Sequence, residues 1–120
     1  MGNFSTASEK GTLQPEKANG KELTILGEFC DMWGYANTVS QFKTIFLNKL
    51  TQMGYVVNFA ITPLPGGNGE YFVYNVINNE KKIIFSNDKT QHANESPVFG
   101  GKITNRNVDD VVNKIEEMNK

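Results

Sequence analysis

The apolar residues of this chain follow a period of two in some segments and a helical period in others. In residues 21–29, KELTILGEF, alternate positions are apolar or glycine, which predicts a strand with one buried face. From Thr38 to Gly54 the period becomes three to four, so we place an amphipathic helix at residues 38–53. Thr38 and Gln41 have the spacing of a capping box, and Gly54 supplies a stop. The buried stripe of this helix is predicted to be Val39, Phe42, Phe46, Leu50 and Met53.

The second half of the chain predicts three more strands. Residues 55–63, YVVNFAITP, alternate again, and the stretch PLPGGNG then fits neither a strand nor a helix. Residues 70–77 and 81–86 are rich in β-branched and aromatic side chains. The asparagines between them tolerate a positive φ, so these two segments predict a hairpin. A long polar loop is expected over residues 87–106.

A second helix is predicted near the end of the sequence. Asn107 can cap it, and Asp109 and Asp110 would then lie in its first turn, where the helix dipole favours negative charge. Its buried stripe is predicted to be Val108, Val111, Val112, Ile115 and Met118.

The predicted order of elements is therefore β-α-β-β-β-α. A single helix between the first two strands implies a right-handed crossover to a parallel neighbour, whereas the hairpin strands pair antiparallel. Each helix has one apolar stripe, so both should pack on the sheet. We expect an α/β (α+β) domain, thioredoxin-like in outline, with a mixed four-stranded sheet and two helices.

The first twenty residues differ from the rest, because Phe4 and Leu13 are their only sizeable apolar side chains. They bury too little surface to offset the entropy of ordering, so we predict a flexible tail at residues 1–20 before one domain at residues 21–120. The start, MGNFST, also fits the N-myristoylation pattern, with Gly2 as the acylated residue. One acyl chain gives weak and reversible membrane attachment. A chance match to this short pattern is the alternative.

Charge and residue types exclude several functions. The 120-residue chain has 12 basic and 13 acidic residues and no Lys/Arg block, so we expect no nucleic-acid partner. His92 is the only histidine and has no companion at ligand spacing, so no metal site is predicted. The single cysteine, the lack of a signal-peptide pattern and the lack of an apolar run of ~20 residues indicate a cytoplasmic protein, peripheral to a membrane at most.

The segment FCDMWGY, residues 29–35, lies between the first predicted strand and the first predicted helix. It resembles the redox loop of the selenoprotein W (Rdx) family of thioredoxin-like proteins, in which the first strand leads into C-x-x-C or C-x-x-selenocysteine followed by glycine. The later segments NGEYFVYNV and KKIIFSNDK resemble other strands of that family. The resemblance implies that Cys30 occupies the first cysteine position and that Trp33 stands in place of the second cysteine or selenocysteine.

One thiol limits the chemistry that the chain can perform. A dithiol oxidoreductase attacks with one thiolate and resolves the mixed disulfide with a second thiol, so the single Cys30 excludes a dithiol cycle. A one-thiol cycle, in which Cys30 takes up glutathione or forms a sulfenic acid, is still open. It requires an exposed thiolate, which the neighbouring Glu28 and Asp31 disfavour. Alternatively, Cys30 is a small hydrophobe next to the core.

Two functions follow from these alternatives. In the first, the chain is a selenoprotein W-like thioredoxin-fold protein with a degenerate redox motif, which acts at most through Cys30 and uses no cofactor other than glutathione. In the second, it is a non-enzymatic protein-interaction module whose contact loop includes Met32, Trp33 and Tyr35, with transient membrane contact through an acylated Gly2. An exposed aromatic loop of this kind suits an apolar contact with a protein partner.

Overall fold

A computed structural model describes most of the regular structure of the chain. The described residues are 9–15, 21–31, 35–65, 70–86, 98–99 and 105–118. They include the strands β1 (Glu9–Leu13), β2 (Lys21–Cys30), β3 (Tyr55–Leu64), β4 (Tyr71–Ile77), β5 (Glu80–Ser86) and β6 (Val98–Phe99). The helical elements are α1 (Tyr35–Gln41), a π-helix (Phe42–Leu47), α2 (Asn48–Gln52) and α3 (Asn105–Met118). We call residues 35–52 the first helical segment, because its three parts follow one another directly.

The strands form one mixed sheet in the order β1-β3-β2-β4-β5-β6. β2 and β3 are parallel and are joined through the first helical segment, as predicted for a crossover. β4 pairs antiparallel with β2 on one side and with β5 on the other. The predicted β-α-β-β-β-α order and the mixed α+β, thioredoxin-like fold class are therefore confirmed. The sheet has two additional strands, β1 and β6, beyond the four predicted.

The prediction of a flexible tail is wrong for residues 9–13, which form the edge strand β1. This strand pairs antiparallel with β3 along its whole length. Most of its side chains are exposed or half-buried, so backbone hydrogen bonds hold it, and its composition gave little sign of a strand. An ion pair between Glu9 and Lys43 also links it to the first helical segment. The other residues of the predicted tail, including Gly2, lie outside the described residues.

Both helices begin earlier than the sequence predicted. The first starts at Tyr35 instead of Thr38, and Tyr35 packs against the core, which favours the additional turn. The second starts at Asn105, two residues before the predicted cap Asn107. Thr38 is therefore a residue inside the helix and not its cap.

The two predicted turns of the central region are present. Asn78 and Asn79 connect β4 and β5 with φ values of 53° and 67°, the left-handed conformation that asparagine tolerates. Gly54 ends the first helical segment with a φ of 95°, which a residue with a side chain rarely adopts.

The main core lies between the sheet and the two helices, which pack on the same face. The predicted stripes supply it, although Val39, Met53 and Met118 are only partly buried. Leu47 is a further core residue that the helical period did not predict. It lies at the end of the π-helix, whose wider hydrogen-bond spacing turns two consecutive side chains, Phe46 and Leu47, into the core. Among the described residues, the buried apolar side chains of the helices are Phe42, Phe46, Leu47, Leu50, Val108, Val111, Val112 and Ile115.

The opposite face of the sheet carries no helix within the described residues. Alternation along the strands places there half-buried aliphatic side chains and, between them, polar residues such as Asn58 and Thr62 of β3 and Glu28 of β2. We call this surface the helix-free face and define it by Leu26, Val56, Ala60, Leu64 and Val76.

A second, smaller cluster occupies the β4–β5 side of the same face. Phe72, Tyr74 and Ile83 are buried there, and Leu26 and Leu64 pack against them. β4 therefore has buried side chains on both of its faces, and all five residues from 71 to 75 are buried. A continuous apolar run of this kind is typical of a strand that is covered on both sides.

Candidate functional site

Cys30 is the last residue of β2, at the point where the chain leaves the sheet toward the first helical segment. Its backbone N–H donates to the carbonyl oxygen of Glu70 at 2.9 Å, and the N–H of Asp31 donates to the carbonyl oxygen of Leu64 at 3.0 Å. Both bonds tie the start of the predicted contact loop to the neighbouring strands. The backbone position of Cys30 is thus fixed from two sides.

The side chain of Cys30 is enclosed, with 4% of its surface exposed. Strand alternation directs it away from the core residue Phe29, and Leu64 is its register partner on β3. A thiol acts as a nucleophile when its thiolate is stabilised and within reach of a solvent-borne partner. The burial of Cys30 is the arrangement of a structural cysteine, which packs as a small hydrophobe.

The charged groups near this end of β2 are mainly acidic. Asp31 follows Cys30 directly, and Glu28 precedes it by two residues. The carboxylate of Glu28 is paired with Lys81 at 3.6 Å, and the same ammonium lies 4.8 Å from the ring centroid of Tyr74. Lys81 is therefore engaged with these two groups.

The predicted contact loop is only partly described. Tyr35 packs against the core as the first residue of α1, and burial, Glu9 and Asp31 together raise the pKa of its phenol. The hydroxyl therefore stays protonated at neutral pH. Met32 and Trp33 lie outside the described residues, as does the predicted acylation site Gly2.

Within the described ranges, the structure contains no group of three or more His, Cys, Asp or Glu residues that could hold a metal ion. A groove of about 260 Å³ runs between the first helical segment and α3, and Lys49 and Asp109 form an ion pair at 3.4 Å across it. Among the described helices, none combines the length and the apolar character needed to cross a bilayer.

The sequence did not predict the helix-free face, because it did not predict on which side of the sheet each helix packs. The signal that was available for the buried cluster on this face is the segment YFVY in β4, where consecutive apolar side chains indicate burial on both faces. This face adjoins Cys30, since Leu64 is both its register partner and a neighbour of the Phe72 cluster. Cys30 therefore lies beside apolar side chains of this face, with Glu28 and Asp31 as its charged neighbours in the chain.

The chain was also compared with known proteins. No family model, no curated protein and no solved structure matches it.

Proposed function

We propose that this chain is a non-enzymatic protein-interaction module, and that its partner protein binds the helix-free face beside the Cys30–Tyr35 loop. The observation that supports this most directly is the burial of the only thiol, which has 4% of its surface exposed. A thioredoxin-like sheet whose one cysteine is inaccessible can still bind a partner through its surface, but its thiol is out of reach for redox chemistry.

The composition of the helix-free face supports the same proposal. Val56, Ala60 and Leu64 are half-buried along β3 on this face, and Asn58 and Thr62 alternate with them. Charged residues of both signs are exposed beside them, since Lys10 is the register partner of Ala60 and Glu22 is that of Val56. A mixture of aliphatic and polar groups is the usual composition of a non-obligate protein–protein contact, so we infer a partner that presents both kinds of group.

The first prediction concerns the reactivity of Cys30. We expect iodoacetamide to alkylate Cys30 in the folded protein at least about tenfold more slowly than in urea, because the reagent has to wait for local opening. Oxidised glutathione should give no adduct in the intact-mass spectrum of the folded protein. Rapid alkylation that increases from low to neutral pH, with a single glutathione adduct, would contradict the proposal and support the one-thiol cycle instead.

The second prediction locates the binding surface. A photo-crosslinking amino acid at Ala60, at the centre of the helix-free face, should give one discrete cross-linked protein in cells. The same amino acid at Asn113, an exposed position on α3, should not, because α3 packs on the other face of the sheet. The same cross-linked species from both positions, or none from Ala60, would count against this surface.

A second function is favoured by the position of Cys30 in the fold. The residue ends the strand that leads into the first helical segment, which is where the resemblance to selenoprotein W-like proteins places a redox thiol. In that case the thiolate attacks glutathione disulfide during local opening, forms a mixed disulfide and releases one reduced glutathione, and an external thiol then restores Cys30 by a second exchange. Under either function we propose a cytoplasmic location, with reversible membrane contact if Gly2 is acylated.

A further inference from the structure

Asn75 is a buried polar residue of β4, on the side of the sheet that faces the helices. Its side chain is 1% exposed, and it lies in β4 between Ile25 of β2 and Lys82 of β5. Buried carboxamides are normally held by full-strength hydrogen bonds, because an unpaired amide in an apolar environment is unfavourable. The partner of this amide therefore needs an explanation.

That partner is a thioether. The Nδ2 group of Asn75 donates a hydrogen bond to the Sδ atom of Met118 at 3.8 Å. Among the described residues, this is the side-chain hydrogen bond of the amide. A thioether sulfur is a weak acceptor. The amide N–H thus points at an atom that satisfies it poorly.

Met118 is also accessible from outside. It ends α3, is half-buried, and packs against the main core. Together with Lys81, Lys82 and Ile83 it lines a shallow, open cavity of about 370 Å³. A small solute in this cavity can reach the Met118 side chain while α3 stays in place.

We propose that Met118 is an oxidation site whose sulfoxide oxygen is received by the Asn75 amide. In this step a peroxide transfers one oxygen atom to the sulfur, forming the S–O bond and breaking the O–O bond. The sulfur loses two electrons, and the peroxide is reduced to water or an alcohol. A sulfoxide oxygen is a strong acceptor, so the weak N–H···S bond is replaced by an N–H···O bond.

The amide has two consequences for the reaction. A lone pair of the sulfur attacks the peroxide oxygen. The N–H of Asn75 engages one of the two lone pairs, so the amide lowers the nucleophilicity of the sulfur and leaves the other lone pair to react from the cavity. The sulfoxide sulfur is chiral, so reaction through this one lone pair favours one epimer, and rotation of the side chain then brings the new oxygen to the amide. The product is a modified α3 end that stays attached to the sheet and that sulfoxide reductases can restore. This proposal is independent of the function of Cys30.

The experiment uses the purified full-length protein and hydrogen peroxide. Peptide mass spectrometry follows the tryptic peptide of residues 115–120, which contains Met118. We expect Met118 sulfoxide to form in the folded protein, and to form about threefold faster in Asn75→Leu, because no N–H donor then engages a lone pair of the sulfur. Reductases specific for each sulfoxide epimer should find mainly one epimer in the wild type and both in the variant.

Two controls separate this site from the other methionines and from misfolding. In the Met118→Leu variant, peroxide can oxidise the other methionines but not position 118. Any change in its melting temperature after peroxide treatment therefore comes from oxidation elsewhere in the chain. If Asn75→Leu does not fold, Asn75→Ala, which leaves space instead of adding bulk, takes its place. The proposal is overturned if Met118 stays reduced in the folded protein while it is oxidised in urea. Equal epimers in the folded wild type, or an Asn75 variant with an unchanged rate and epimer ratio, would overturn it too.

Discussion

Replacing Phe42 with alanine is expected to lower the free energy of unfolding by about 3–5 kcal/mol, the range for a fully buried aromatic side chain. Phe42 is 0% exposed and begins the π-helix. Its ring centroid lies 5.3 Å from that of Phe29 and 5.5 Å from that of Phe46, so the ring joins β2 to the helix. Removing it leaves a cavity between the sheet and the first helical segment.

Urea denaturation followed by circular dichroism measures this effect. The matched control is Thr44→Ala, an exposed position in the same π-helix, which should change the free energy of unfolding by less than about 0.5 kcal/mol. Phe42→Leu, which retains part of the volume, should fall between the two. A Phe42→Ala variant that unfolds within about 1 kcal/mol of the wild type would show that the helix does not pack on β2 as described.

The sequence predicted those parts of the fold that depend on local patterns. Alternation identified β2 and β3, and the β-branched and aromatic content identified β4 and β5, each within one residue. The asparagine pair identified the hairpin. The stripe of α3 was also correct, since Val108, Val111 and Ile115 are buried. Local signals were sufficient here because burial on one face imposes a period on the sequence.

Features that depend on distant partners were not predicted. β1 exists because β3 offers an unpaired edge, and the polar segment EKGTL contains no sign of this. The π-helix depends on how Phe46 and Leu47 both reach the core, which a helical period of 3.6 does not describe. The helix-free face exists because both helices pack on the other face of the sheet. That placement depends on tertiary packing and not on local sequence.

At the candidate site, too, the sequence revealed local patterns but not contacts between distant residues. From the sequence, Cys30 was either a reactive thiol or a buried hydrophobe, because its neighbours in the chain do not determine its exposure. The backbone hydrogen bonds of Cys30 and Asp31 go to Glu70 and Leu64, which are distant in the sequence, and they fix the position of this part of the chain in the fold. In the same way, Asn75 and Met118 are 43 residues apart, so their contact had no local signal.

Gly27 is the position where a second large effect is expected. Gly27→Ala should lower the free energy of unfolding by about 1–3 kcal/mol, the range for overpacking in a core. A Cβ atom at residue 27 would lie 2.6 Å from a ring carbon of Phe29 and 3.5 Å from one of Phe42. The Phe29 ring has no free direction, because it is 1% exposed and packs between Phe42 and Tyr71.

The sign of the change in the free energy of unfolding distinguishes the two possible effects of Gly27→Ala. Alanine in place of glycine inside a strand normally stabilises a protein by about 0.5–1 kcal/mol, because the unfolded chain loses freedom. The steric contact with Phe29 should reverse that sign. In a Phe29→Leu background, with a smaller side chain at the contact, the same substitution should be neutral or stabilising. This double-mutant cycle isolates the contact, since the two residues are direct neighbours.

Gly11→Ala is the matched control for Gly27→Ala. Its Cβ would also lie 2.6 Å from a ring atom, in this case of Phe59, but Phe59 is half-buried and β1 is an edge strand. The Phe59 ring can therefore turn toward solvent, and the loss of stability should be smaller than at Gly27. If the two alanine variants lose equal stability, or if the Gly27→Ala effect persists unchanged with leucine at position 29, then the rigidity of the Phe29–Phe42–Tyr71 cluster is not its cause. A loss confined to Gly27 that leucine relieves means that this cluster fixes the distance between β2 and the first helical segment.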